Sequence, residues 1–346
     1  MSTQRAVVHK ELGAEVRSDV LLPKLRDDYI IVKTKAVALN PTDWKAYIKK
    51  ASMGGRNSPG AIIGCDYAGI VEEVGKAVTK PLKKGDRVAG FVKGSDPFNH
   101  ENGAFAEHIT AKGDIQTKIP DSMSFEEAAT LGVGITTVGQ GLFQSLGLPL
   151  PPNKFTEPTN ILIYGASTAT GTIAVQYAKL VGAKVIATAS PHNFELVKSL
   201  GADEVYDYKD PKVGAKIRAA TNDSIHLVFD TISEHSSPAI CAAAMSSKGG
   251  HYSALLPVKF PRDDVKASLT LAYTVLNEKF NDAWPASKED FDFAVNFLNI
   301  SEELINSGKI KPHPTHVRGG LDEIPQGLED LRAGKASGAK FVYKID

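Results

Sequence analysis

The run ILIYGASTATGTIAVQYAKLVGAKVIATAS, ending at Ser190, constrains this chain more than any other segment. Its first stretch, Ile161 to Tyr164, is uninterrupted apolar sequence of the kind that forms a strand buried on both faces. It enters Gly165-Ala166-Ser167-Thr168-Ala169-Thr170-Gly171 and then an amphipathic helical pattern. A strand feeding a helix through small residues gathers free backbone N–H groups and the positive end of the helix dipole, which suits a pyrophosphate. Gly165 permits the turn, and Gly171 lets the helix pack on the sheet. Ser167 stands where a second glycine often sits, and Thr168 and Thr170 complete the candidate cofactor loop. Any strand–turn–helix built from small residues would share this loop, so its setting decides.

The second strand of the run ends at Ser190, close to where a carboxylate binds the adenine ribose in NAD sites. Thr188, Ala189 and Ser190 carry no charge, so nothing there repels a 2′-phosphate, and the Ser190 hydroxyl can donate to one. His192, Asn193 and Tyr208 are further donors for the same group. The expectation is NADP(H), although no arginine follows and Ser190-Pro191 could equally cap the next helix.

Beyond Asn160 the pattern alternates strand and helix through EVYDY, HLVFDTI and HYSALL, the mark of a parallel sheet wrapped by helices. The residues before it are β-rich, with RAVVHK, YIIVKTKAVAL, DYAGIVEEVG, DRVAGFV and AFAEHITA separated by turn residues. Ser124 with Glu127 forms a capping box that opens a helix. Pro149, Pro151, Pro152 and Pro158 then exclude regular structure. Helices are expected at Ser301 to Ser307 and Leu321 to Leu331, and FVYKI as a closing strand.

With 40 basic and 40 acidic residues in 346, no net field favours nucleic acid or an anionic membrane. No apolar run has the length of a membrane span, and the N-terminus lacks a signal-peptide pattern. Two cysteines, Cys65 and Cys241, make no disulfide framework, so a cytoplasmic location is expected.

GCDYAGIVEEVG, KKGDRVAGF, GAFAEHI, the ILIYGAS loop and SGAKFVYKI together resemble the medium-chain dehydrogenase/reductase superfamily. NPTDWK, GASTATGT, SPHNFELVKSLGADEVYDY, GGHYSALLP and the KPHP segment are similar to fungal trans-acting enoyl reductases of polyketide pathways, and to yeast zinc-free aldehyde and quinone reductases. The resemblance implies an α/β chain in which a GroES-like β-rich catalytic domain brackets a Rossmann doubly wound parallel sheet. The expected bounds are 1–125 for the first catalytic part, 126–280 for the NADP-binding domain and 281–346 for the return. Ser253 and Leu255, in GGHYSALLP, are assigned to the cofactor site as well.

Zinc members of that superfamily hold the metal through Cys-x-x-Asp, Gly-His-Glu and a later cysteine. Here these read Asn40-Pro41-Thr42-Asp43, Gly64-Cys65-Asp66 and GVGITTVG, so no metal is expected. Cys65 reads as a small buried hydrophobe and Asp43 as a helix cap. Without a Lewis acid, hydride addition to the β-carbon of an enone, enal or enoyl thioester is the favoured chemistry, because the charge spreads over an enolate that hydrogen-bond donors can stabilise.

The resemblance makes Lys45 and Thr137 active-site residues. Lys45 alone would read as a solvated loop lysine, and Tyr47 is a second candidate proton donor. Trp44, Phe98 and Trp284 could line an apolar pocket or belong to the core. The leading expectation is an NADPH-dependent reductase of activated C=C bonds on a small α,β-unsaturated carbonyl substrate. An aldehyde or quinone reductase and a non-catalytic NADPH-binding protein are the alternatives. A polyketide synthase is a candidate partner, and the oligomeric expectation is a monomer or homodimer.

Overall fold

A computed structural model describes residues 2–47 and 58–345. The chain divides into two compact units, Met1–Val133 with Leu276–Glu278 and Ala286–Asp346, and Gly134–Val275 with Lys279–Pro285.

The first unit is built on strands. β1 (Thr3–His9) and β2 (Ala14–Leu21) form an antiparallel hairpin. A second sheet takes β3 (Tyr29–Ala38), β4 (Asp66–Val74), β5 (Arg87–Phe91), β6 (His108–Lys112) and β7 (Thr117–Lys118). In β3 the residues from Ile30 to Ala36 alternate buried with half-exposed, as a sheet with one wetter face requires.

The second unit carries β8 (Asn160–Tyr164), β9 (Lys184–Ala189), β10 (Glu204–Asp207), β11 (Leu227–Asp230), β12 (Gly250–Ala254) and β13 (Val265–Leu269). They lie in the order β10-β9-β8-β11-β12-β13, and every neighbouring pair is parallel. That order reverses direction between β8 and β11, the switch point where doubly wound sheets open a crevice at their C-terminal strand ends. The helix Ala169–Leu180 buries Ile173, Ala174, Val175, Tyr177 and Ala178, and it makes contacts with β8 and β9.

The chain then returns to the first unit. The helix Lys288–Asn306 starts well before the expected Ser301, because Ser287 caps it by accepting from the Asp290 N–H at 3.2 Å. A short turn at Leu321–Glu323 leads into the helix Ile324–Arg332. β14 (Thr315–Arg318) and β15 (Lys340–Lys344) pair in parallel, and β15 joins β3. The first-unit sheet therefore runs β14-β15-β3-β4-β5-β7, with β6 also on β3.

The capping box at Ser124 and Glu127 opens the helix Phe125–Ala128. The residues after it are also helical, Gly132–Val138 followed by a wider turn over Gly139–Ser145, where the sequence suggested no element. Cys65 and Cys241 are buried free thiols. Among the described residues no helix is long and apolar enough to cross a membrane.

Candidate functional site

The cofactor-loop candidates lie together at the C-terminal end of β8. Gly165 has φ +76°, in the left-handed region that favours glycine. The loop is fixed from two sides: the Gly165 N–H donates to Thr188 Oγ1 at 3.1 Å and the Ala166 N–H to the Thr188 carbonyl at 2.9 Å, while Thr231 Oγ1 donates to the Tyr164 and Gly165 carbonyls at 2.9 and 3.0 Å. Thr168 caps the helix Ala169–Leu180, accepting from the Gly171 N–H at 2.9 Å, and its hydroxyl also meets that of Thr231 at 3.0 Å. A Cβ on Gly171 would stand 2.3 Å from the Gly165 carbonyl oxygen, so this turn closes only around glycine. Ser167 sits on the same loop and Thr170 in the first turn of the helix, each partly exposed. The geometry fits a dinucleotide phosphate: a cradle walled by backbone at the first turn of a twelve-residue helix.

The ribose-end candidates lie one and two strands away. Ala189 of β9 pairs with Asp207 of β10, so Ser190 and Tyr208 follow on adjacent chains. Ser190 precedes the short turn Pro191–Asn193 without a capping bond from its side chain. His192 is exposed, Asn193 is buried, and the Tyr208 ring meets Tyr164 edge-on at 6.5 Å. Ser253 and Leu255 end β12 on the same side of the sheet, with Ser253 Oγ 3.0 Å from Thr270 Oγ1 and the Leu255 N–H donating to Ser233 Oγ at 2.8 Å. Thr188, Thr231 and Ser233 organise these loops; sequence reasoning named Thr188 only for its lack of charge and did not single out the other two. The only signal was their place at strand ends in KVIATAS and HLVFDTIS.

Lys45 and Tyr47 fall in the first unit, at the end of the helix Pro41–Lys45. Both are buried. Lys45 Nζ lies 5.6 Å from the Trp44 ring centroid. The Tyr47 hydroxyl donates to Glu329 Oε1 at 2.9 Å, and burial, with Glu329 behind it, pushes the phenol well above its ordinary pKa. Tyr47 is thus committed to a carboxylate of its own unit. Thr137 is buried in the helix Gly132–Val138, within the second unit. Trp44 packs on the first-unit core, whereas Phe98 is 60% exposed with the Lys93 ammonium 5.2 Å from its ring.

A buried polar cluster takes in Asn40 and Asp66, from two of the segments that carry zinc ligands in the zinc members. Asn40 Nδ2 donates to Asp66 Oδ2 at 2.9 Å, and Lys340 Nζ donates to Asn40 Oδ1 at 2.9 Å and pairs with the Asp66 carboxylate. Asp66 Oδ1 accepts the Val133 N–H at 2.6 Å. An ammonium ion in this place and one soft thiol nearby do not fit a zinc site, which wants three ligands and no competing cation. Among the described residues no group of three or more His, Cys, Asp or Glu side chains could hold a metal ion.

Asp43 belongs to this cluster as the third residue of its helix. Its Oδ2 accepts the Asn40 N–H at 2.7 Å, while Oδ1 is buried with no hydrogen-bond partner among the described residues. Burial raises its pKa to about 7; the Asn40 N–H, the Cys65 thiol and the Lys340 ammonium oppose the rise, and Asp66 adds to it. A carboxyl whose folded pKa lies above its unfolded value, about 4, is most favourable to folding below that value. The penalty grows as pH rises from about 4 to about 7 and then stays level, at about 4 kcal/mol in full. His313, held at about 3 by burial and by Lys340, has the opposite slope below its ordinary value. The comparison is therefore made between Asp43→Asn and the parent protein. Thermal melts from about pH 5 to about pH 8 should show the variant gaining several degrees on the parent as pH rises. A difference independent of pH would mean that Asp43 is ionised throughout.

Comparison with known proteins adds to this geometry. Residues 26–121 match the alcohol dehydrogenase GroES-like domain, and residues 169–253 match the zinc-binding dehydrogenase model. The chain is 60% identical over the full length of both proteins to the trans-enoyl reductase ACTTS2 of Alternaria alternata. It is 44% identical to the trans-enoyl reductase resD of Aspergillus sclerotiorum, covering 99% of this chain and 97% of that one. Among solved structures, the CurK enoyl reductase superposes with a TM-score of 0.79 over the whole of both chains, at 20% identity. An alcohol dehydrogenase superfamily protein from Novosphingobium aromaticivorans gives 0.81 at 22%, also over the whole of both. At those identities the two structures speak for the fold alone.

Proposed function

The chain belongs to the trans-enoyl reductases of the medium-chain dehydrogenase/reductase superfamily, and from that membership we propose that it reduces the activated C=C bond of an α,β-unsaturated thioester or carbonyl compound with NADPH. The observation that carries the reading is the full-length 60% identity to a protein of that name. The phosphate cradle of Gly165, Thr168 and Gly171 supports it independently.

NADPH supplies the hydride. The role assigned to this chain is to hold the cofactor and to stabilise the charge that develops on the substrate oxygen. Ser190, Tyr208, His192 and Asn193 are the proposed contacts to the 2′-phosphate, since the end of β9 itself, Thr188 to Ser190, carries no carboxylate. Lys45 is the proposed donor to the carbonyl oxygen, since an ammonium hydrogen bond is worth most to a forming enolate in a buried setting. Thr137 is proposed to contact substrate as well. Tyr47 is the weakest of the three candidates, because its hydroxyl is engaged by Glu329. A polyketide synthase that presents the thioester is the proposed partner.

The test is product analysis with NADPH or NADH against crotonyl-N-acetylcysteamine, crotonaldehyde, butanal and benzoquinone. The saturated thioester, formed with NADPH at least about tenfold faster than with NADH, is expected. Alcohol from both aldehydes, hydroquinone alone, or NADPH binding without turnover would each replace this reading with another.

A further inference from the structure

The buried cluster of Asn40, Asp66 and Lys340 has a second property. It joins three separate parts of the first unit at one point. Asn40 is the residue that starts the helix Pro41–Lys45, Asp66 opens β4, and Lys340 opens β15. The Lys340 ammonium bonds to both of the others, and all three side chains are at least nine-tenths buried. The remaining Asp66 oxygen holds the Val133 N–H, and the Asn40 N–H is held by Asp43. The backbone reinforces the same junction, with the Leu39 N–H on the Phe341 carbonyl at 3.0 Å.

A buried ion pair is weak evidence for stability, because desolvation offsets most of its attraction. Its geometric effect is better defined. The three side chains bond one another from different directions, which fixes where the helix begins. That helix is a single turn of five residues, too short to be stable by itself, and it ends on Lys45.

We infer that Lys340 is a positioning residue: its ammonium ties β15 and β4 to Asn40 and so sets the direction from which Lys45 meets the substrate. The inference rests on the reading of Lys45 given above. A fixed cation thus organises this site without touching the reacting atoms.

Two variants separate the positioning role from folding. Asp66→Asn with Lys340→Met removes both charges together. The amide oxygen introduced at position 66 keeps the Val133 N–H, and a flip of the Asn40 amide restores the bond between the two side chains. Asn40→Ser keeps a good helix cap and leaves the Lys340–Asp66 pair intact, but severs the pair from the helix. Each is compared with the parent protein for thermal midpoint, NADPH affinity and turnover of crotonyl-N-acetylcysteamine at saturating NADPH. Both should bind NADPH within about twofold of the parent and lose at least about tenfold in kcat, as a small misplacement of a donor costs. Combined with Lys45→Ala, either should cost no more than about twofold further, because both act through the same side chain.

Full kcat in a folded variant, or losses that multiply with Lys45→Ala, would overturn the inference. If the charge-free pair fails to fold, Asn40→Ser decides alone. If the parent protein leaves the thioester untouched, the functional reading has failed instead. The same cycle is then run on whichever compound of the panel it does reduce, with the same outcomes deciding.

Discussion

Gly171→Val is expected to abolish useful cofactor binding while leaving the first unit intact. The added Cβ would lie 2.3 Å from the Gly165 carbonyl oxygen and 2.7 Å from the Ala166 Cα, both backbone atoms that cannot rotate away. Relief requires the first turn of the helix Ala169–Leu180 to move off the end of β8. That movement breaks the Thr168 cap on the Gly171 N–H and scatters the amides proposed to hold the cofactor's pyrophosphate. Overpacking alone costs about 1–3 kcal/mol of stability. Loss of the phosphate cradle should raise the NADPH Kd by at least about a hundredfold, or about 2.7 kcal/mol. Titration of NADPH fluorescence measures it, with far-UV circular dichroism as the check on folding. A Kd within about threefold of the parent would mean that the nucleotide binds elsewhere.

This glycine was legible in the sequence because strand, loop and helix follow one another without interruption. Each carries its own signal: an apolar run, small residues, then an amphipathic period. The same holds for the capping box at Ser124 and for the alternation in β3. The segment Gly132–Ser145 was not legible, and packing explains why. Its glycines lower helix propensity, yet a Cβ on Gly134 would stand 2.5 Å from Ile173 and one on Gly141 would stand 2.3 Å from the Phe229 ring. Tertiary contact overrides helix propensity there, and no local pattern announces it.

The site divides along the same line. The cofactor loop is a contiguous stretch, so its members could be named together. The junction of Asn40, Asp66 and Lys340 joins residues far apart in the chain. Sequence reasoning saw only that the three metal-ligand positions had changed and could not find the lysine that bonds to Asn40 and Asp66. Asp43 was expected as a helix cap and does hold the Asn40 N–H, but its unpartnered buried oxygen depends on neighbours that spacing does not reveal.

Asp230 is the buried acid of the second unit that should matter most. It is fully buried at the end of β11 and has four donors on its carboxylate. Oδ1 accepts the Ile232 and Ser233 N–H groups at 3.0 and 2.8 Å, and Oδ2 accepts the Ser237 and Tyr252 hydroxyls at 2.6 and 2.7 Å. Asp230 also positions the cofactor loops, because Ser233 Oγ donates to its carbonyl at 2.8 Å and accepts the Leu255 N–H at the same distance. Asp230→Ala leaves all four donors without an acceptor and should cost about 4 kcal/mol or more. Asp230→Asn should cost only about 1–2 kcal/mol. Its amide oxygen can keep the two backbone donors, and the two hydroxyls can turn to accept from its NH2 group. Urea denaturation of the three proteins therefore orders them parent, Asn, Ala, and the NADPH Kd follows the same order because Ser253 and Leu255 shift with the loop. Equal stability of the Ala and Asn variants would show that the carboxylate fills space without organising the strand ends.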